Sequence, residues 1–214
     1  MLLFIYPCGP VAANMMFFGR DGSKTVAVVD PSDADLAFAV LKEHGWTLSD
    51  ILITHRHFDH MLGVAALKAE TNATIYVSEE DACGLTSNLQ SLSLMQRISI
   101  TPVEPDVKLH DGDTFEAAGL KIRALATPGH TVGGMTFVCD EARCAFCGDT
   151  LFRESYGRTD LPTGDWRAIR DSIRDVILQL PEDYRLYPGH DEATTVAHER
   201  AANPIISEEE PWFV

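Results

Sequence analysis

Four side chains of metal-ligating type fall within six residues, at His55, His57, Asp59 and His60. Neutral imidazoles and a carboxylate are the donors that hold zinc, iron or manganese. The cluster lies in Thr54-His55-Arg56-His57-Phe58-Asp59-His60, directly after the apolar run Ile51-Leu52-Ile53. A short β-branched run of this kind reads as a buried strand, and open α/β folds gather their chemistry at the carboxyl ends of strands. The segment therefore reads as a metal site, and as a catalytic one.

Three more candidates share that setting. His130 stands in Thr127-Pro128-Gly129-His130-Thr131, Asp149 in Phe146-Cys147-Gly148-Asp149-Thr150, and His190 in Tyr187-Pro188-Gly189-His190-Asp191. Each follows a strand-like stretch and sits beside a glycine, where backbone can turn sharply or approach closely. A lone histidine is more often structural than ligating, and His44, His110 and His198 read as surface or capping residues. The repeated Pro-Gly-His context and the upstream cluster favour ligation at His130 and His190. Seven candidates result: His55, His57, Asp59, His60, His130, Asp149 and His190. They exceed the needs of one tetrahedral ion and suit two metals sharing a bridging carboxylate.

The elements that must position these residues follow from periodicity and punctuation. Strands are expected at 2–6, 14–18 and 25–29, then a helix over 33–44 with Ser32 as N-cap and Gly45 as its stop. A strand at 51–54, a short helix at about 59–69 and a strand at 74–77 come next. The irregular stretch 78–113 is long for a connector, and such segments tend to form lids or walls of sites. Strands resume at 114–117, 120–126, 135–139 and 142–147. Over 165–180 the residues Ile169, Ile173, Val176, Ile177 and Leu180 make one apolar stripe of a helix. A strand at 185–187 and a helix at 192–202 finish the pattern. A faint duplication pairs the strand–helix–strand around 26–55 with that around 144–190, each delivering an acid and then a histidine. It suggests two βαβ-like halves packed sheet to sheet, with helices outside and ligands at one edge.

At 214 residues, with 45% hydrophobic residues, the chain can bury a substantial core, and 1–214 reads as a single domain. The balance of 17 basic and 32 acidic residues gives a formal charge of −15. A field of that sign disfavours nucleic acid and anionic membrane surfaces as partners. No run approaches the ~20 apolar residues of a membrane span, and the N-terminus lacks a signal pattern. A cytoplasmic location is expected, as a monomer or homo-oligomer. The five cysteines lack disulfide-framework spacing, and Cys144-Ala145-Phe146-Cys147 reads as reduced core thiols on a strand rather than a redox pair.

The set His55-x-His57-x-Asp59-His60, His130, Asp149 and His190 resembles the metallo-β-lactamase-fold superfamily. Within it, Thr127-Pro128-Gly129-His130-Thr131, Gly148-Asp149-Thr150-Leu151-Phe152 and Tyr187-Pro188-Gly189-His190 are similar to the glyoxalase II branch in its compact form. Thr194-Thr195, Glu199-Arg200 and Asn203-Pro204 resemble its closing segment. The resemblance implies an α/β fold, an αββα sandwich of two mixed sheets face to face. It implies a first metal on His55, His57 and His130, a second on Asp59, His60 and His190, and Asp149 between them. Two divalent ions per chain are implied, Zn2+ foremost, with iron or manganese as alternatives. The implied activity is thioester hydrolysis of a hydroxyacylglutathione-like small molecule by a metal-bridging hydroxide, with Asp59 and Asp149 as catalytic residues. Persulfide dioxygenases with a single iron keep the same ligands, so that activity, or hydrolysis of another small ester or lactone, is the alternative. Gly157-Arg158-Thr159-Asp160-Leu161-Pro162 leans to the hydrolase.

On the substrate side, Arg158 stands where glyoxalase II enzymes place a lysine for the glutathione carboxylate, and its guanidinium is the expected substrate-binding group. Asp160 replaces a tyrosine of the family, and the chain stops at Val214 without the family's C-terminal helical extension. Asp30 resembles an acid that hydrogen-bonds a ligand histidine; an acid that only organises the turn before Pro31 is the equal alternative.

Overall fold

In a computed structural model, residues 1–207 are described; the chain end at Val214 lies outside them. Among these residues fourteen strands form two six-stranded sheets and one two-stranded hairpin, accompanied by four α-helices. The first sheet takes β1 (Leu2–Cys8), β2 (Ala13–Gly19), β3 (Thr25–Val29), β4 (Thr47–Leu52), β5 (Thr74–Ser78) and β6 (Val107–Leu109) in sequence order. Its first two pairings are antiparallel and the other three parallel. Crossovers through α1 (Ala34–His44) and α2 (Val64–Thr71) make the β3–β4 and β4–β5 pairs possible, and the long connector before β6 makes the third.

The second sheet draws on β7 (Thr114–Ala117), β8 (Leu120–Ala126), β9 (Met135–Cys139), β10 (Cys144–Gly148), β13 (Arg185–Pro188) and β14 (Thr194–Thr195). Strands β11 (Leu151–Phe152) and β12 (Ser155–Tyr156) pair with each other only. Helices α3 (Trp166–Asp171) and α4 (Val196–Ala202) belong to this half. Here β10 and β13 pair in parallel, as β3 and β4 do in the other half, which is the duplication expected from the sequence.

Three apolar clusters define the layers. Along β2, Met15 and Phe17 enter one cluster with Val40, Leu41, Val64 and Leu67 of the helices. Met16 and Phe18, on the opposite face by strand alternation, enter another with Ile122, Phe137 and Phe146 of the second sheet. Ile169, Ile173 and Val196 cover the outer face of that sheet against Ala145, Cys147 and Leu186. The order is helix, sheet, sheet, helix, and strands buried on both faces explain why the sequence reads as continuous apolar runs. Cys144 lies in the inter-sheet cluster and Cys147 under the helices, on opposite faces of β10. That placement rules out a Cys144–Cys147 redox pair.

Several boundaries depart from the sequence expectation, each for a local reason. The N-cap of α1 is Asp33, whose carboxylate accepts from Leu36 N, while the Ser32 hydroxyl meets Cys8 Sγ. Gly45 does end that helix, at φ 64. The helix expected at about 59–69 is split: a 3-10 turn at Phe58–His60 carries Asp59 and His60, and α2 starts only at Val64. The helix expected over 165–180 is α for one stretch only, then widens through a π turn at Ser172–Val176 and tightens at Ile177–Gln179. Ile169, Ile173 and Ile177 are spaced by four, wider than the α period, and the π turn keeps all three on the sheet. The expected helix 192–202 begins with β14, and Thr195 caps α4 by accepting from His198 N.

Candidate metal centre

The seven ligand candidates converge at the carboxyl ends of four strands. His55, His57, Asp59 and His60 follow β4, His130 follows β8, Asp149 follows β10 and His190 follows β13. Donor atoms of His55, His57 and His130 lie within 4.8 Å of one another, and so do those of Asp59, His60 and His190. Asp149 stands between the trios: Oδ2 is 3.6 Å from His130 Nε2 and 3.6 Å from His190 Nε2, and Oδ1 is 3.4 Å from His60 Nε2. Asp59 Oδ2 lies 3.3 Å from Nε2 of both His60 and His190.

Buried polar atoms are normally hydrogen-bonded. Among the described residues five buried side-chain atoms have no partner, and four of them are here: His55 Nε2, His57 Nε2, His60 Nε2 and Asp149 Oδ1. An arrangement that leaves imidazole nitrogens and a carboxylate oxygen unpaired in one place fits a cation, which satisfies them together.

A second layer fixes the rings. Asp30 Oδ1 accepts from Thr54 N at 2.8 Å, and its Oδ2 accepts from Thr54 Oγ1 at 2.6 Å and from His60 Nδ1 at 2.9 Å. Thr54 Oγ1, its proton committed to Asp30, accepts from His55 Nδ1 at 3.1 Å. The Arg158 carbonyl accepts from His130 Nδ1 at 2.8 Å. Each bond leaves the Nε2 of its ring for the cluster. Asp30 thus serves both readings raised by the sequence, anchoring the turn and orienting a ligand-type histidine. Its grouping with His55 and His60 is this hydrogen-bonded layer rather than a third cation site.

Asp30→Asn leaves one acceptor oxygen for three donors. Metal affinity should then fall about 10- to 100-fold with the fold intact, in a titration against a competing chelator. Unchanged affinity would mean that the Asp30 carboxylate does not set the His60 ring for the cluster.

Protonation divides the cluster. Burial, together with the surrounding imidazoles, holds His55 well below the usual histidine range, and burial with His130 brings His57 down to about 3. These two are neutral donors at physiological pH. Burial opposes charge on His60 too, but Asp59, Asp149 and Asp30 outweigh it and raise its pKa well above the usual value. His190 is likewise raised, its burial outweighed by Asp59 and Asp149. Burial raises the carboxyls of Asp59 and Asp149, yet His60 overrides it and keeps both low. A proton on His60 thus does in part what a cation does: it balances buried carboxylates.

Three residues that the sequence did not single out lock the frame. Asn14 N donates to the Gly189 carbonyl, and its Nδ2 donates to those of Pro188 and Asp191, clamping the loop that carries His190. Asp81, fully buried, accepts from Arg56 N and Nε, Thr131 Oγ1 and Gly133 N. It ties the His55–His60 segment to the His130 loop. Arg56 Nη1 reaches on to Gln90 Oε1 in the long connector. That connector does form a wall, as its length suggested: Leu92, Met95 and Gln96 line a cavity of about 350 Å³ with His57, Asp59, His130, Asp149 and His190. Arg158 lines the same cavity, but Asp160 holds it through Nε and Nη2 at 2.6 Å each.

Comparison with known proteins agrees with this geometry. A family model described as the metallo-beta-lactamase superfamily matches residues 8–190. The chain is 36% identical to "Probable metallo-hydrolase M6_Spy0554" of Streptococcus pyogenes serotype M6, covering 86% of this chain and 82% of that protein. It is 32% identical to hydroxyacylglutathione hydrolase GloC of Haemophilus influenzae, over 87% of this chain and 90% of the other. Among solved structures, the BLEG-1 B3 metallo-beta-lactamase superposes with a TM-score of 0.91 at 30% identity, over 97% of this chain and 100% of that one. TTHA1623, solved in a di-iron-bound form, superposes at 0.83 and 31% identity, over 94% and 98%. The two-sheet sandwich, the edge at which four strands deliver histidines and carboxylates, and matches along nearly the whole chain agree: this protein belongs to the metallo-beta-lactamase superfamily.

Proposed function

We propose that this metallo-hydrolase is a dinuclear thioesterase of the glyoxalase II type, acting on a small-molecule thioester such as a hydroxyacylglutathione. The observation that carries the dinuclear part is the position of Asp149, within 3.6 Å of histidines from both trios. His55, His57 and His130 would hold one divalent cation and Asp59, His60 and His190 the other, with Asp149 facing both. Two such cations, zinc foremost among zinc, iron and manganese, supply an activated water and polarise a carbonyl.

The chain's own residues do the rest. Asp30, Thr54 and the Arg158 carbonyl hold three rings in one orientation, so little reorganisation accompanies the reaction. Burial of six of the seven ligand residues, with His190 partly open, limits the access of bulk water to the charges. Asp59 lines the cavity and stays ionised, the state in which a carboxylate can hold a cation. A thiol with pKa near ~8.5 leaves readily as thiolate, so no strong acid is required. The similarity to GloC, a hydroxyacylglutathione hydrolase of nearly the same span, supports the thioester reading. Loss of thioester absorbance on adding metal-loaded protein to S-lactoylglutathione, without oxygen uptake, tests it. Oxygen consumption with a persulfide and no thioester cleavage would replace it with the dioxygenase reading.

Arg158 meets an anionic substrate as half of an ion pair and not as a bare cation. Its contribution is reduced accordingly, since the substrate must share it with Asp160. Arg158→Ala should raise KM for a glutathione thioester by only about two- to fivefold, the scale of an exposed pair. Asp160→Asn should lower KM, and steady-state kinetics on both variants read the two signs. The reverse signs for the two variants would remove Arg158 from substrate binding.

A further inference from the structure

Exposed apolar side chains line the cavity, at Val11 and Met95, and the hollow beside it, at Leu89, Leu94 and Met95. Val11, Leu89, Leu94 and Met95 are 52%, 67%, 56% and 64% exposed, and they are four of the eight exposed large hydrophobics among the described residues. Scattered apolar residues need no explanation, but a contiguous group beside a site marks what binds there. Leu92 and Met95 line the cavity that holds the ligand cluster. The same two residues line a second hollow of about 310 Å³ with Leu89, Leu94 and Pro162. The two hollows therefore adjoin at the wall formed by Leu92 and Met95, and apolar side chains continue from the cavity of the ligand cluster into the second hollow, together a trough.

This wall is built firmly. Phe58 N, next to ligand-type Asp59, donates to the Ser91 carbonyl at 2.9 Å. Asn88 Oδ1 accepts from Ser93 Oγ and Ile100 N at 2.8 Å each, closing the connector on itself. Arg56, the cation lining the second hollow, is spent on Asp81, Gln90 and the Glu80 carbonyl. The trough therefore offers apolar surface without an uncommitted charge.

We propose that the trough is an acyl subsite, and that the substrates are thioesters of medium-length straight-chain acids with the chain lying along Leu92 and Met95. The proposal rests on the thioesterase reading and narrows it. Water adds to the carbonyl carbon, the C–S bond breaks, and a carboxylic acid and a thiol leave, so the atoms balance without a further reactant. A chain lying in an open trough is about half buried, which is worth about twofold per methylene.

The test uses metal-loaded protein and N-acetylcysteamine thioesters from acetyl to decanoyl. kcat/KM should rise by about twofold per methylene from butanoyl to octanoyl, and Met95→Gln should collapse the octanoyl-to-acetyl ratio by about threefold or more. Independently of turnover, straight-chain alkanoates should bind more tightly with length. They should move the methyl resonance of Met95 in protein labelled at methionine methyls, which Met95→Leu assigns, while acetate leaves it in place. A flat length profile with an unmoved Met95 methyl overturns the subsite and leaves thioester hydrolysis standing. Length-dependent binding that moves Met95, with no thioester cleaved, supports an apolar-chain subsite and overturns the thioesterase reading.

Discussion

Asp149→Asn should abolish most of the turnover while leaving the protein folded. The carboxylate faces His130 through Oδ2 and His60 through Oδ1, and the latter oxygen has no hydrogen-bond partner. An amide of the same shape removes one anionic donor from both halves of the cluster at once. The effect should exceed the loss of about 10- to 100-fold expected for an outer-layer partner such as Asp30. The loss should appear in kcat and in metal content together, far beyond the few-fold KM change expected for Arg158→Ala. An Asp149→Asn variant with full metal content and near-native kcat would show that Asp149 only fills space between the trios.

Gly189→Ala should be the second severe change, for a steric reason. A Cβ at this position would lie 2.2 Å from Asp149 Oδ1 and 2.7 Å from His60 Cε1. The backbone cannot retreat, because Gly189 N donates to the Gly148 carbonyl at 2.8 Å and the Gly189 carbonyl accepts from Asn14 N at 2.7 Å. The two ligand-type side chains must move instead, and a displacement near ~1 Å costs on the order of a hundredfold in rate. Overpacking of this kind also costs about 1–3 kcal/mol of stability, so thermal unfolding should fall by only several degrees. Gly22→Ala is the contrast: nothing lies within 4 Å of its Cβ, and only the φ of +78° is strained. That variant should keep full activity. Equal activity losses in the two would show that the Gly189 effect is one of folding.

The ligand set was legible because its information is local. His55, His57, Asp59 and His60 are neighbours in sequence, and His130 and His190 carry the same two preceding residues. The layers were anticipated from the strand–helix–strand duplication around 26–55 and 144–190 and from the family resemblance, whereas the division of β2 into a Met15/Phe17 face and a Met16/Phe18 face shows only in the structure. What stayed hidden is long-range. Asn14 acts on Pro188 and Asp191, more than 170 positions away, and Asp81 acts on Gly133 across 52. No spacing rule marks an asparagine at the start of a strand as the clamp for a loop at the other end of the chain. Arg158 shows a subtler limit. Its neighbour Asp160 was visible, but that the two side chains close on each other depends on the backbone of their loop. The Ser32 and Asp33 exchange is similar, since both residues cap helices well and the contact of Ser32 with Cys8, 24 positions away, is not visible in the sequence.

Metal stoichiometry tests the central claim most directly. Protein stripped with a chelator, reconstituted with excess Zn2+, passed through a desalting column and analysed for metal should retain two ions per chain, because two trios of ligand-type residues flank the Asp149 carboxylate. Asp149→Asn, carried through the same procedure, should retain fewer. A wild-type value that saturates at one ion per chain would contradict the dinuclear centre and, with it, the hydrolytic role proposed for this protein.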